Sequence, residues 1–115
     1  MKKGVVFPAG RGLPWVADVG DEIELSAVAR ECGFEWCEIV RGGRLPKGFV
    51  MIVDEEGWLK PNEPNLVGCW FYGGPIPGTM MVLKEVWGPE GPELSGLTED
   101  EVNAVFDAIG KEDDE

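Results

Sequence analysis

Residues 49–53 read FVMIV, five apolar residues in a row. Successive side chains of a strand point to opposite faces, so a strand with one wet face alternates apolar and polar residues. An unbroken apolar run of this length predicts a strand covered on both faces and central in its sheet. The run ends in DEEG (54–57), followed by WLK (58–60). That spacing predicts a hairpin between 49–53 and 58–60, closed by a type I turn with Gly57 at positive φ. Asp54 suits turn initiation through side-chain to backbone bonding, and a turn at the tip leaves the acids in water.

The other elements follow from local pattern. GVVF (4–7) and WVADV (15–19) predict an opening hairpin around the Pro- and Gly-rich turn 8–14. Leu25, Val28, Ala29 and Cys32 recur at helical spacing, predicting a helix over about 21–32. Asp21 and Glu24 would form its capping box and Gly33 its left-handed stop. FEWCEIV (34–40) reads as a strand, RGGRLPKG (41–48) as a turn and TMMVLKEVW (79–87) as the last strand. LVGCWFY (66–72) fits a strand or a short helical turn, and GPEGPELSG (88–96) has the composition of a linker. The second helix, 98–110, carries the clearest signals: Thr98 and Glu101 as a capping box, Leu97 and Val102 as a staple, and Gly110 as the stop. Short turns between most strands predict an α+β fold, a mainly antiparallel sheet of 5–6 strands with both helices packed on one face. The expected organisation is one domain over 1–110 and an acidic disordered tail over 111–115. An edge strand such as 79–87 would allow pairing of two copies, so monomer and homodimer both stay open.

Composition excludes more chemistry than it assigns. The chain has no histidine, which removes Ser-His-Asp and Cys-His nucleophile activation. Cys32, Cys37 and Cys69 fit no metal spacing and read as reduced, mostly buried thiols, so neither a metal nor a cofactor is expected. The net charge of −12 repels nucleic acid and anionic membrane and favours a basic protein partner. Residues 90–115 hold ten acids and one lysine, Lys111. No apolar run approaches the roughly 20 residues of a membrane span, and the opening MKKGVVF reads as a strand rather than a leader, so the expected location is cytoplasmic.

Candidate binding residues cluster in three places. Asp54, Glu55 and Glu56 form a triple acid; Asn62 and Asn65 lie in the PNEPN loop; Trp58 and Trp70 flank that loop. Of the five tryptophans, core use explains three, leaving one or two to line a cleft with Arg11, Arg41 or Arg44. GRG (10–12) lacks the frames of a phosphate loop, and a single RGGR (41–44) in so acidic a chain reads as a turn.

The segment from Leu25 to Val82 resembles the phage- and plasmid-borne domain-of-unknown-function 3846 family. The resemblance rests on CGFEWCEIV (32–40), VMIVDEEGWLKPNEPN (50–65) and LVGCWFYGG (66–74). It covers about half the chain, and the tryptophan-rich strands and the proline-rich loop 61–64 depart from the pattern. The family carries no activity to transfer. It implies a mobile-element setting, in which small acidic proteins act on host machinery.

Together these readings lead to a non-enzymatic phage or mobile-element protein that binds and modulates a host protein, with an anti-defence or host-takeover role. Two other classes stand beside it. One is a sponge for a small ligand or nucleotide, gripped by aromatic faces and arginines. The other is a divalent-ion enzyme using Asp54, Glu55 and Glu56, which only the triple acid supports.

Overall fold

The computed structural model describes residues 2–10, 12–20, 22–41, 43–59 and 63–113, with side chains as far as Ile109. In chain order the elements are β1 (Lys3–Phe7), β2 (Trp15–Asp18), α1 (Leu25–Cys32), β3 (Cys37–Val40), β4 (Phe49–Asp54), a single 3-10 turn (Gly57–Leu59), α2 (Leu66–Tyr72), β5 (Met80–Gly88), β6 (Gly91–Ser95) and α3 (Glu99–Asp113). The six strands form one sheet in the order β2-β1-β5-β4-β3, with β6 added beside β5. Every neighbouring pair is antiparallel. The α+β class read from the sequence is the one observed.

The double-faced strands organise the layers. In β4, Met51 and Val53 join one buried cluster while Val50 and Ile52 join another. In β5, Met80 and Val82 belong to the first cluster, Met81 and Leu83 to the second, and all four are fully buried. Such strands need cover on both sides. The first cluster is closed by Phe71 of α2, Val102 and Val105 of α3, and Leu97; the second is closed by Val28 of α1. The helices therefore do not share one face: α1 lies opposite α2 and α3. The two-faced apolar run at 49–53 already demands this, because two helices on one side would leave Val50 and Ile52 in water.

Several boundaries differ for identifiable reasons. No strand forms at 58–59, because β4 already has β3 on one edge and β5 on the other, and Lys60 lies outside the described residues. The chain winds instead, with Leu59 N–H donating to Glu56 C=O at 2.9 Å. Gly57 has no positive φ. It is required for space, since a Cβ there would lie 2.7 Å from the Pro77 ring. Residues 66–72 are helical despite their β-forming side chains, because Asn65 caps one end and Gly73 closes the other in the left-handed conformation. The segment expected to be a linker contains β6, whose Pro92 faces Trp87 on a strand paired only to β5, where a missing N–H costs little. Strand β5 is thus interior where β4 pairs it, at 81–84, and the outer strands are β2, β3 and β6.

Helix α1 starts at Leu25, with Glu24 at the cap position making no side-chain cap bond. Asp21 lies outside the described residues. Gly33 does stop α1 at φ 84. Its stripe is buried at Val28 and Ala29, whereas Leu25 is exposed. In α3 the expected box forms reciprocally: Thr98 N–H donates to Glu101 Oε1 at 2.9 Å, and Glu101 N–H donates to Thr98 Oγ1 at 3.3 Å. This helix runs on to Asp113, past Gly110 and into the segment expected to be a tail; residues 114–115 lie outside the description.

Candidate functional site

The acidic turn is only partly what its composition suggests. Asp54 is the last residue of β4, paired with Cys37, and is 7% exposed rather than in solvent. Its Oδ1 accepts the Glu56 N–H at 2.9 Å, the side-chain to backbone bond expected of a turn-initiating aspartate. Glu55 is exposed and Glu56 half-buried. The strand ends one residue later than the apolar run, which draws the first acid into the sheet and leaves the second outside. Among the described residues, no group of three or more Cys, Asp or Glu is arranged to hold a metal ion.

Asn65 is fully buried and fully occupied. Its Oδ1 accepts Gly68 N–H at 2.8 Å, and its Nδ2 donates to Phe7 C=O and Gly78 C=O, both at 2.8 Å. One side chain thus caps α2 and ties it to β1 and to the segment entering β5. This is a structural junction with no surface to offer a ligand. Asn62 and Arg11 lie outside the described residues.

The two arginines of RGGR divide their work. Arg44 Nη1 donates to Trp70 C=O at 2.7 Å and its guanidinium lies 5.4 Å from the Trp70 ring centre. Trp70 is half-buried and packs on Phe71 at 5.1 Å between ring centres. This pair clamps the 41–48 loop onto α2. Arg41 instead grips Glu85 with two nitrogens, Nη2 at 2.6 Å and Nε at 3.2 Å.

The tryptophans overturn the expectation that the core uses three of them. None of the five is buried: Trp70 is intermediate, and Trp15, Trp36, Trp58 and Trp87 are exposed. The layer-facing positions are filled by Val, Ile, Met, Leu and Phe; Trp70 packs against the core from α2, and the other four indoles sit at or beside strand ends. Trp15 opens β2 and donates Nε1–H to Glu31 of α1 at 2.9 Å. Trp36 precedes β3, Trp58 lies in the 3-10 turn, and Trp87 is near the end of β5.

Trp36 and Trp58 come to the same end of the sheet. The Trp36 carbonyl accepts Glu55 N–H at 3.1 Å, and Trp58 follows three residues after Glu55. Trp36 is 60% exposed, Trp58 68% and the adjacent Leu59 82%. Glu35, Glu38 and Glu55, near them in the chain, are exposed. Trp58 is legible from sequence; Trp36 and Leu59 are not, because 34–40 scans as one alternating strand that would place residue 36 on the same face as the buried Phe34. In fact 34–36 bends and only 37–40 is strand, so that parity is broken.

The Cys32 and Cys37 thiols are poor nucleophiles. Burial, then Cys37, then Glu31 push Cys32 up to about 12, and burial followed by Asp54 raises Cys37. Cys37 Sγ–H points at Leu25 C=O, 3.6 Å away, and all three cysteines are free. Among the described residues, no helix is long and apolar enough to cross a membrane. Comparison with protein-family models, with curated proteins and with solved structures returned no match.

Proposed function

We propose that this chain is a non-enzymatic binding protein that docks a basic partner protein on the apolar cluster of Trp36, Trp58 and Leu59. The supporting observation is the exposure of three large apolar side chains at one end of the sheet, with exposed Glu35, Glu38 and Glu55 near them in the chain. Tryptophan is the side chain most often found at the energetic centre of a protein interface, and exposing it without a partner is costly. Those acids and the net charge of −12 select for positive charge on the other side. In the mobile-element setting implied by the resemblance to the domain-of-unknown-function 3846 family, the partner is a host protein. The outcome of binding is modulation of that host protein, in anti-defence or takeover.

The test is capture from a bacterial host lysate by the wild-type chain and by Trp36→Ala and Trp58→Ala variants, at low and high salt. A specific partner should be lost with either substitution and weakened by salt. A partner retained equally by wild type and both variants, at both salt concentrations, would reject the docking surface.

A further inference from the structure

A second place on the surface reverses the character of the molecule. No acid occurs between Arg41 and Val53, a stretch that carries Arg41, Arg44 and Lys47, three of the ten basic residues in the chain. This stretch meets the far end of β5 through a hydrogen bond from Glu85 N–H to Gly48 C=O at 2.8 Å. An open groove of about 420 Å³ lies there, lined by Arg41, Lys47, Gly48, Phe49, Glu85 and Trp87 among others. That volume is within the usual range for small-molecule sites, roughly 300–1,000 Å³.

Glu85 uses both its oxygens on Arg41 and so fixes the guanidinium against the sheet. The bond engages Nε and one Nη2 hydrogen, leaving the other donors of the five-donor fork along its outer edge. Trp87 lies two residues beyond Glu85 on the same face of β5, about 7 Å along the strand, and its indole is 84% exposed. Lys47 is exposed beside them. The groove therefore presents an aromatic face together with two cationic side chains. Among the described residues, Glu85 is the one acid lining it.

We infer that this groove binds a nucleoside monophosphate, its base stacked on Trp87 and its phosphate held by Lys47 and the outer edge of Arg41. The acidic remainder of the chain does not forbid this, because charges beyond roughly 8–10 Å are largely screened at physiological salt. It does disfavour a longer polyanion, whose further phosphates would run onto negative surface. This site is separate from the Trp36–Trp58–Leu59 cluster and does not depend on the docking proposal.

Titration calorimetry with AMP, GMP, CMP and UMP tests it, with the parent nucleosides and inorganic phosphate as controls. At least one nucleotide should give saturable binding, about tenfold or more tighter than its nucleoside or phosphate alone. Trp87→Ala should weaken that binding about tenfold or more, and Trp87→Phe should restore most of the loss. Lys47→Ala should weaken it severalfold without changing nucleoside binding. Both side chains are exposed, so an unchanged melting temperature verifies that the variants fold. The inference is overturned if none of the four nucleotides binds, if Trp87→Ala binds as wild type does, if phosphate alone binds as tightly as the nucleotide, or if a short oligonucleotide binds more tightly than the mononucleotides.

Discussion

The two faces of the sheet are built to different standards. On one face, α2 and the 15-residue α3 seal a core that includes Phe7, Phe71, Met80 and Val105. Phe7 meets Phe71 edge-on at 6.4 Å and Phe106 at 6.0 Å between ring centres. Both helices have side-chain caps, and Lys84 from β5 reaches Glu101 at 2.8 Å. On the other face stands α1 alone, with eight residues, no side-chain cap and half-buried cysteines at its margin. A groove of about 420 Å³ opens between α1 and β2, lined by Asp18, Glu22, Glu24, Arg30 and Glu31. Among the described residues, none of α1 lines the groove beside Arg41, Lys47 and Trp87. One face supplies stability, and the thinly covered face leaves surface free for other uses.

This contrast predicts unequal costs. The largest belongs to Asn65→Ala. It strips partners from two buried carbonyls and one N–H, each lost bond costing about 1–3 kcal/mol, and it removes a helix cap. A loss of about 4 kcal/mol or more in denaturant unfolding is expected. Phe71→Ala should follow at about 3–5 kcal/mol. Val28→Ala under α1 removes two methyl groups and should cost about 2 kcal/mol or less. The equal truncation in α3, Val105→Ala, should cost more, and equal costs for these two would dissolve the distinction between the faces.

The sequence made the well-built face more legible than the other. Thr98, Glu101, Leu97 and Val102 are local signals, and local signals survive into the fold because helix caps depend on residues three or four apart. The apolar run at 49–53 correctly announces a two-faced interior strand. That run also calls for cover on both faces, but which helix takes which face is not legible, because periodicity shows a helix's apolar stripe and not the side of the sheet it meets. The hairpin expected at 54–57 fails for the same reason: whether 58–60 can pair depends on β5, more than twenty residues downstream. Burial of Asp54 and Asn65 is likewise set by distant partners. The candidate surfaces were half visible. Trp58 and Arg41 stood out by type, but the exposure of Trp36 and Trp87 depends on where each covering layer stops. One clue to Trp87 was present: Glu85 on the same face shows that the strand has already left the core.

Titration should separate the faces as well. Glu101 is raised by its burial, but the Lys84 ammonium and the hydrogen bonds with Thr98 outweigh this and hold it below the ordinary carboxylate range. A depressed folded pKa contributes stability above the unfolded value, near 4.3–4.5, and that contribution is lost as pH falls through the folded value. Thr98→Ala should cost about 1 kcal/mol at neutral pH and flatten the acid limb of the stability curve. On the α1 face the sign is opposite. Cys32 is raised from 9.0 to about 12, so the folded state favours the neutral thiol. Stability should be unaffected below about pH 9 and fall as pH rises from there towards 12. Cys32→Ala should blunt that alkaline loss while leaving the acid limb unchanged.

The smallest stability effects are expected at the proposed working surfaces, and that smallness is itself diagnostic. Trp36→Ala, Trp58→Ala and Trp87→Ala remove indoles that are mostly in water, so each should shift unfolding by no more than about 0.5 kcal/mol. Removing a comparable ring from a core costs several times as much. A melting temperature that stays put while capture of a basic partner fails in Trp36→Ala and Trp58→Ala would assign those two indoles to recognition. The same substitutions should leave nucleotide binding intact, because Trp87 occupies another end of the sheet. If either variant instead unfolds as readily as Phe71→Ala, its indole belongs to the core in solution, and the docking surface argued from its exposure is lost.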